Sequence, residues 1–222
     1  MNTISKQIER LAEGLLKIEP EVGDNTGRYS MFNDGGVECE VGEFLYGLVR
    51  MTKPEHVLET GTHKGVGAAY IGMALKANGN GGLTTLEFLD PHIETARRLI
   101  RKLNLDMQVQ VEKADATTYI PNHRVLYDII FLDTEPNIRF GELIRYFPYL
   151  KEGGYIFIHD TPRTLCQGNV NPDWPNLPSW PFGDIPHEMR ELVKSGKLRP
   201  FHFNNPRGLI GFYKIHNEDV KW

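Results

Sequence analysis

Cysteine is scarce in this chain of 222 residues, and neither sign of charge predominates. The two cysteines, Cys39 and Cys166, lie far apart and form no CxxC pair. This spacing disfavours a disulfide framework or a cysteine-based zinc site, and it favours a cytoplasmic location. The formal net charge is only −4, and the sequence has no basic run or basic–aromatic stripe. Nucleic acid is therefore not expected as a partner.

Long apolar runs are also lacking. No segment approaches the roughly 20 apolar residues that a membrane span needs. Residues 1–17 lack the apolar core of a signal peptide. The composition, 40% hydrophobic and 24% charged, is typical of a soluble globular protein. We therefore expect no membrane partner.

The beginning of the chain has a helical pattern. Apolar residues recur at helical spacing from Ile4 to Ile18, which predicts one amphipathic helix ended by Pro20. Residues 21–38 are rich in turn formers and predict a mobile loop. Helical spacing then returns over residues 40–51.

Strand and helix patterns alternate over the next hundred residues. The predicted strands cover 55–60, 83–88, 108–112, 127–132 and 154–159. The predicted helices cover 66–77 and 91–104, the second with Asp90 as N-cap and Pro91 at its first position. The nearly all-apolar strand YDIIFL is typical of a parallel sheet buried on both faces. We therefore predict a doubly wound, Rossmann-like α/β fold with a mostly parallel seven-stranded sheet.

The last third of the chain departs from this alternation. A C-terminal antiparallel hairpin is predicted from Leu198 to Ile215. The proline-rich stretch before it contains Trp174 and Trp180, and a loop of this length is typical of a lid. We expect one domain, 1–222, made of an N-terminal helix and loop (1–38), a cofactor-binding core (39–160), a lid loop (161–186), and a C-terminal helix and hairpin (187–222).

Acidic residues follow successive predicted strands: Glu59, Glu87, Asp115, Asp133 and Asp160. Ligands of doubly wound sheets bind at the carboxyl ends of the strands. A single acid at such a position is most simply a helix cap. Five in succession favour a ligand or a metal, because unpaired carboxylates at one sheet edge repel each other.

The turn after the first of these strands is rich in glycine. Gly65 and Gly67 suit close approach of a cofactor to the backbone. Gly61 is followed by Thr62 and His63, so the turn is not the GxGxxG of dinucleotide-binding folds, which disfavours NAD. An acid that ends the second strand can accept hydrogen bonds from ribose hydroxyls.

Five motifs in order resemble those of class I S-adenosylmethionine-dependent methyltransferases: VLETGTHKGVGAA, TTLEFLDP, ADATTYIP, DIIFLD and LKEGGYIFIHDT. Their spacing is similar to that of the small catechol-type and caffeoyl-CoA-type O-methyltransferases and of antibiotic-tailoring sugar O-methyltransferases. The upstream VGEFLYGLV resembles a segment of the same enzymes, and the resemblance covers about residues 38–162. It implies methyl transfer from adenosylmethionine to a hydroxyl of a small molecule, whether phenolic, sugar or natural product.

The resemblance implies a role for residues of each motif. The methionine end of the cofactor would be lined by Glu59, Gly61 and His63, with Gly65, Val66 and Gly67 alongside. Glu87 would bind the ribose, Phe88 would lie against the adenine, and Asp115 and Ala116 would meet the adenine edge. The resemblance implies Asp133 as a further cofactor contact.

The resemblance also implies a Mg²⁺ ion held by Asp133, Asp160 and Thr161. Mg²⁺ prefers octahedral oxygen coordination with one or two carboxylates. Two positions depart from the pattern, because Thr161 replaces an amide and Pro136 replaces the usual Lys or His general base. The predicted catalytic residues are Asp133, His159 and Asp160, with His159 as the base candidate near neutral pH. Further base candidates are His63, Glu135 and Arg163.

Two other classes of function stay open from the sequence. One is an NAD(P)-dependent oxidoreductase, and the other is an adenosylmethionine-binding protein that has lost its chemistry. Pro136 and Thr161 suit the second class, because they depart from the catalytic pattern. A homodimer is open as well.

Overall fold

The computed structural model describes residues 3–21, 26–33, 36–122, 124–135, 137–161, 187–203 and 205–215. The chain divides into two compact units, Met1–Tyr119 and Ile120–Trp222. The predicted lid, with Trp174 and Trp180, lies outside the described residues, so it stays a prediction. The expectation of a single domain stays a prediction as well.

The first unit holds the parallel strands predicted around the glycine-rich turn. Its helices are α1 (Ile4–Leu11), α2 (Cys39–Thr52), α3 (Val66–Asn78) and α4 (Asp90–Lys102). Its strands are β1 (Ile18–Pro20), β2 (Ser30–Phe32), β3 (His56–Thr60), β4 (Gly82–Glu87) and β5 (Val109–Lys113). Strand β4 pairs in parallel with both β3 and β5, with Leu83 opposite Val57 and Val109. The carboxyl ends of these three strands therefore share one edge.

The second unit joins a parallel pair to an antiparallel hairpin. Its strands are β6 (Tyr127–Leu132), β7 (Leu150–His159), β8 (Leu198–Phe203) and β9 (Leu209–Lys214). Its helices are α5 (Arg139–Tyr146) and α6 (His187–Lys194), with a 3-10 turn at Phe147–Tyr149. Strand β7 is parallel to β6 and antiparallel to β9, and β9 is antiparallel to β8.

The predicted fold class is confirmed. The larger sheet has seven strands in the order β5-β4-β3-β6-β7-β9-β8, and the C-terminal hairpin supplies its antiparallel part. The all-apolar pattern of β6 has the expected cause, because Ile130, Phe131 and Leu132 are fully buried. Among the described helices, none is long and apolar enough to cross a bilayer.

The prediction of one helix from Ile4 to Ile18 is wrong. Helix α1 ends at Leu11, and Ile18 begins β1, which pairs with β2. The C-cap is Ala12, and in the turn that follows Gly14 takes φ +80°, a left-handed conformation that glycine adopts without strain. The predicted loop 21–38 likewise contains a strand, β2.

The predicted N-cap at Asp90 is also wrong. Asp90 is the first residue of α4, and the cap position is Leu89, which makes no side-chain cap bond. The Asp90 carboxylate instead lies 2.7 Å from the Lys113 ammonium group. Pro91 does lie in the first turn, as expected.

Helix α5 was not predicted from the sequence. Its buried residues are Arg139, Glu142, Leu143 and Tyr146, which lie at helical spacing. Because two of the four are charged, hydrophobic periodicity does not reveal this helix. The buried charges of α5 bear directly on the site described below.

Candidate functional site

The turn after β3 is held against the end of β4. The N–H groups of Gly61 and Thr62 both donate to the Leu86 carbonyl, each at 3.0 Å. Gly61 takes φ +79°, in the region that favours glycine. These bonds bring the glycine-rich turn next to the end of β4, where Glu87 lies.

Glu59, predicted at the methionine end of a cofactor, is only 2% exposed. Its Oε2 accepts a hydrogen bond from the Thr85 hydroxyl at 2.5 Å. The Thr85 and Thr62 hydroxyl oxygens lie 2.5 Å apart. A buried carboxylate needs such partners. Sequence reasoning missed Thr85, because a threonine in a strand pattern does not reveal its partner.

The Glu87 carboxylate is held by backbone N–H groups. Its Oε1 accepts from Phe88 at 2.9 Å and from Leu89 at 3.0 Å. Its Oε2 accepts from the His63 N–H at 2.8 Å. A carboxylate oxygen can accept about two hydrogen bonds, so Oε2 can take a further one from a ligand hydroxyl. These contacts fit the ribose-binding role, which stays a prediction.

A pair of histidines lies beside Glu87. The His63 and His92 ring centroids are 4.5 Å apart and nearly perpendicular, at 81°. The His92 Nδ1 lies 3.8 Å from Glu87 Oε2. His63 takes φ +47°, which is uncommon for a residue with a side chain. Sequence reasoning missed His92, because only the tertiary contact places it near Glu87.

Gly65 has a packing reason to be glycine. It takes φ +89°, and a Cβ atom there would lie 3.1 Å from the Cα and Cβ atoms of Ala96 in α4. The Gly65 backbone thus lies close to helix α4 of the same unit, whereas the sequence predicted close approach to a cofactor. Helix α3 begins at Val66, and Val66 and Gly67 are buried. Cofactor contacts of these three residues stay predictions.

The predicted adenine contacts differ in exposure. Phe88 is 60% exposed, so its ring is available for flat apolar contact. Asp115 is also exposed, and its Oδ1 accepts from the Thr117 N–H at 2.8 Å and from the Thr117 hydroxyl at 2.7 Å. Ala116 is buried. Asp115 therefore stabilises a turn, and its contact with a cofactor stays a prediction.

In the second unit, the ends of β6 and β7 bring three candidate residues together. Asp133 follows β6, His159 ends β7, and Asp160 comes next. One potential ligand atom from each of the three lies within 4.8 Å of the others. The parallel pairing of Leu132 with Ile158 brings Asp133 and Asp160 close to each other.

Asp133 and His159 form a direct pair. The His159 Nδ1 lies 2.9 Å from Asp133 Oδ1. His159 is fully buried, whereas the Asp133 side chain is 13% exposed. A carboxylate bonded to one ring nitrogen orients a histidine. Asp133 is therefore the member of the pair that a ligand can reach.

A guanidinium that was not predicted bridges the two carboxylates. Arg139 Nη2 lies 3.1 Å from Asp133 Oδ1 and 3.0 Å from Asp160 Oδ2. Its Nε donates to the Thr134 carbonyl at 2.7 Å. Its terminal nitrogens donate to the carbonyls of Thr134 and His159. The Arg139 side chain is only 4% exposed, so these contacts define its position.

A second guanidinium contacts Asp160. Arg207, between β8 and β9, places Nε 2.7 Å from Asp160 Oδ1 and Nη2 3.0 Å from Oδ2. Burial raises the pKa of the Asp160 carboxyl, but the positive charges of His159, Arg139 and Arg207 outweigh burial and hold this pKa well below its ordinary value. Asp160 is therefore ionised in the folded protein.

The other predicted metal and base residues contribute less to this cluster. The Thr161 hydroxyl donates to the Ile158 carbonyl at 3.3 Å. The Glu135 carbonyl accepts from the Ile138 N–H at 3.0 Å. Pro136 and Arg163 lie outside the described residues. The ligand role of Thr161 stays a prediction.

Charge argues against a divalent metal at Asp133, His159 and Asp160, although their spacing would allow one. The Arg139 and Arg207 guanidiniums supply two positive charges beside the two carboxylates, and the positive charge of His159 adds to them. Mg²⁺ is bound through oxygen ligands, and an additional buried cation carries a large desolvation cost. These residues therefore do not fit a Mg²⁺ ion while Arg139 is in place.

Comparison with known proteins identifies the relatives of this chain. A protein-family model described as a methyltransferase domain matches residues 58–161. The catechol O-methyltransferase of Niastella koreensis is 31% identical over 98 residues, which is 42% of this chain and 43% of that protein. The chain thus matches less than half the length of this curated relative. The resemblance drawn from the sequence motifs is confirmed.

Two solved structures share the fold. The O-methyltransferase of Bacillus cereus, in complex with SAH, has a TM-score of 0.65 at 18% identity and covers 81% of this chain and 83% of its own. TomG of Streptomyces achromogenes, an O-methyltransferase involved in tomaymycin synthesis and in complex with SAM, has a TM-score of 0.65 at 16% identity. That match covers 83% of each chain. At these identities the likeness establishes the fold alone.

Proposed function

We propose that this chain is an S-adenosylmethionine-dependent O-methyltransferase that acts on a hydroxyl of a small molecule. The observation that carries the proposal is the arrangement around Glu87, within the range that matches a methyltransferase domain. Glu87 has a buried carboxylate oriented by backbone N–H groups, and the exposed Phe88 ring follows it directly. The cofactor would supply a methyl group already activated on its sulfonium.

We assign the cofactor chiefly to the first unit. Glu87 Oε2 would accept hydrogen bonds from the ribose, and the Phe88 ring would cover the adenine. The remaining assigned residues are Glu59, Gly61, His63, Gly65, Val66, Gly67, Asp115, Ala116 and Asp133. The Glu59–Thr85 hydrogen bond would orient a carboxylate for the amino group of the methionine end.

We assign the acceptor proton to Asp133. Methyl transfer to a hydroxyl releases a proton, and aligning the acceptor oxygen with the methyl carbon supplies most of the rate gain. Asp133 is partly exposed and would contact the acceptor hydroxyl, whereas the fully buried His159 would orient Asp133 through their 2.9 Å contact. His159 and Asp160 are therefore positioning residues, and Asp133 carries the catalytic contact.

Magnesium held by Asp133, Asp160 and Thr161 is the alternative for the acceptor side. The spacing of the two carboxylates with His159 suits it, and the charge balance with Arg139 and Arg207 does not. The balance of charge supports methyl transfer without a bound metal. Treatment with EDTA separates the two, because a magnesium-dependent enzyme would lose its turnover.

Two rival functions have less support. The family match and the turn Gly61-Thr62-His63 favour adenosylmethionine over NAD(P) and thus disfavour an oxidoreductase. A catalytically silent adenosylmethionine-binding protein would keep the Glu87 arrangement and lack turnover. A homodimer and a cytoplasmic location stay predictions.

Calorimetry and an acceptor screen test the proposal. Titration of the purified protein with adenosylmethionine should give saturable binding, and titration with NAD should give none. The protein is then incubated with labelled adenosylmethionine and panels of phenols, sugars and natural-product alcohols. Labelled methyl ether would support the enzyme, binding without any product would favour the silent protein, and NAD binding alone would contradict the proposal.

A further inference from the structure

We propose that the Arg139 guanidinium takes the place between Asp133 and Asp160 that a divalent cation would take, so that this site works without a metal. The role in methyl transfer rests on the proposed function. The position of Arg139 between the two carboxylates does not rest on the proposed function, because it follows from contacts within the second unit.

The first ground is the position of Arg139. One nitrogen, Nη2, contacts both carboxylates, at 3.1 Å to Asp133 and 3.0 Å to Asp160. A divalent ion that joined two carboxylates would need to contact an oxygen of each in the same way. The guanidinium and the ion would therefore compete for the same oxygens.

The second ground is that the guanidinium is held from both strand ends. Arg139 donates to the carbonyl of Thr134, after β6, and to the carbonyl of His159, at the end of β7. The Thr134 hydroxyl in turn donates a 2.6 Å hydrogen bond to the Glu142 carboxylate. Glu142 lies on α5, three residues after Arg139. Swinging Arg139 aside would leave buried carbonyls without a donor, which is costly.

The third ground is that three of the four acid oxygens lie beside a guanidinium, although the buried Asp160 Oδ1 accepts no hydrogen bond from it. Asp133 Oδ1 contacts both His159 and Arg139. Asp160 Oδ2 contacts both Arg139 and Arg207, and Asp160 Oδ1 lies 2.7 Å from Arg207. A guanidinium carries a fixed charge and directional N–H groups, so it can neutralise and orient two carboxylates without water ligands.

Manganese binding tests whether Arg139 occupies the place of a divalent cation, and the test needs no assay of activity. Mn²⁺ is titrated into the purified chain, and free Mn²⁺ is followed by electron paramagnetic resonance. We expect no stoichiometric binding to the wild-type protein. Arg139→Gln removes the competing cation and should raise Mn²⁺ affinity roughly 10- to 100-fold, the range over which groups around a metal alter its affinity.

Three further variants identify the site. Adding Asp160→Asn to Arg139→Gln should abolish the gained binding, because one of the two carboxylates is lost. Arg139→Lys keeps a positive charge and should bind no Mn²⁺. Arg145→Gln is the matched control, because Arg145 is exposed on the same helix, and it should behave like the wild type.

Two results would overturn the proposal. One is stoichiometric Mn²⁺ binding by the wild type that Asp160→Asn removes, since the metal would then displace Arg139. The other is a folded Arg139→Gln protein that binds no Mn²⁺. If Arg139→Gln does not fold, the wild-type and Arg139→Lys titrations still decide, because binding by the wild type or by Arg139→Lys overturns the proposal.

The catalytic consequence has a separate readout. With an acceptor identified in the screen, wild-type turnover should be unchanged by EDTA and by added Mg²⁺. Turnover that EDTA abolishes and Mg²⁺ restores would overturn the proposal. Failure to find any turnover or cofactor binding would count against the proposed function alone, because the Mn²⁺ titrations do not depend on it.

Discussion

Glu87 in the first unit and Asp160 in the second are both buried acids at the end of a parallel strand, yet different groups hold them. Three backbone N–H groups hold Glu87, at 2.8 to 3.0 Å. Two guanidiniums hold Asp160, at 2.7 to 3.0 Å. Backbone dipoles orient the Glu87 carboxylate without cancelling its charge, whereas Arg139 and Arg207 cancel that of Asp160.

This difference sets what each carboxylate can bind. Glu87 can still attract a hydroxyl donor, because its negative charge persists and Oε2 can accept a further hydrogen bond. Asp160 is buried between two guanidiniums, so it is suited to hold its neighbours in place. The sequence shows the same motif position in both cases, an acid at the end of a predicted strand, and does not distinguish the two.

The largest effect is expected from removing the bridging cation. Arg139→Gln should lower the free energy of unfolding by about 3–5 kcal/mol, because it leaves buried carboxylates uncompensated. Urea denaturation measures this, and the exposed Arg145→Gln should change it by less than about 0.5 kcal/mol. Equal small losses in both variants would mean that Asp133 and Asp160 do not depend on Arg139.

The next effect sharpens the role of Glu87. Glu87→Ala should weaken adenosylmethionine binding by about 1.5–3 kcal/mol, the scale for hydrogen bonds to a charged group. Titration calorimetry measures the affinity, with the exposed Glu94→Ala on α4 as the control. Unchanged affinity in Glu87→Ala would refute the ribose assignment.

The dependence of stability on pH should reveal the neutralisation of Asp160. Its pKa is lower in the folded chain than its ordinary value of 3.8, so its ionised form stabilises the fold above about pH 4. That stabilisation is lost as pH falls below 3.8 towards the folded pKa, with a slope of up to about 1.4 kcal/mol per pH unit.

Unfolding by urea between pH 6 and pH 3 measures this loss. Asp160→Asn lacks the ionisable group, so its free energy of unfolding should fall less steeply over the acid range than that of the wild type. If the free energy of unfolding falls equally steeply with pH in the two proteins, ionised Asp160 makes no net contribution to stability.

The smallest effect concerns His92. Its Nδ1 lies 3.8 Å from Glu87 Oε2, and its side chain is 31% exposed. A contact this long and open to solvent is weak, so His92→Gln should change adenosylmethionine affinity by less than about 1 kcal/mol. His56→Gln, exposed at the start of β3, is the control in the same calorimetry. A loss as large as that of Glu87→Ala would show that His92 contacts the cofactor directly.

The strands and helices around the sheet were predictable because the sequence patterns that specify them are local. Strands β3 to β6 and helices α3 and α4 lie within one or two residues of their predicted bounds. Apolar runs and helical spacing are properties of short segments, so they can be read without tertiary structure. The N-terminal helix was overestimated for the same local reason, because the apolar spacing from Ile4 to Ile18 continues through the turn at Gly14.

The candidate site was predictable only in part. The acids at the strand ends and the glycine-rich turn could be located, because parallel strands bring their carboxyl ends to one edge. Arg139 could not, since it lies in a helix whose buried stripe is half charged. His92, Thr85 and Arg207 carry no motif, and only their contacts reveal them.

The sequence by itself determined the alternation of strands and helices and the positions of the acids, because both follow from residue type and spacing along the chain. Only the tertiary structure decided what neutralises each acid. Glu87 is met by N–H groups within 24 residues of it in the chain, whereas Arg207 reaches Asp160 across 47 residues through the C-terminal hairpin. An electrostatic partner acts through space over a few ångströms, so a contact between residues far apart in the chain becomes fixed only when β7 and β9 pair.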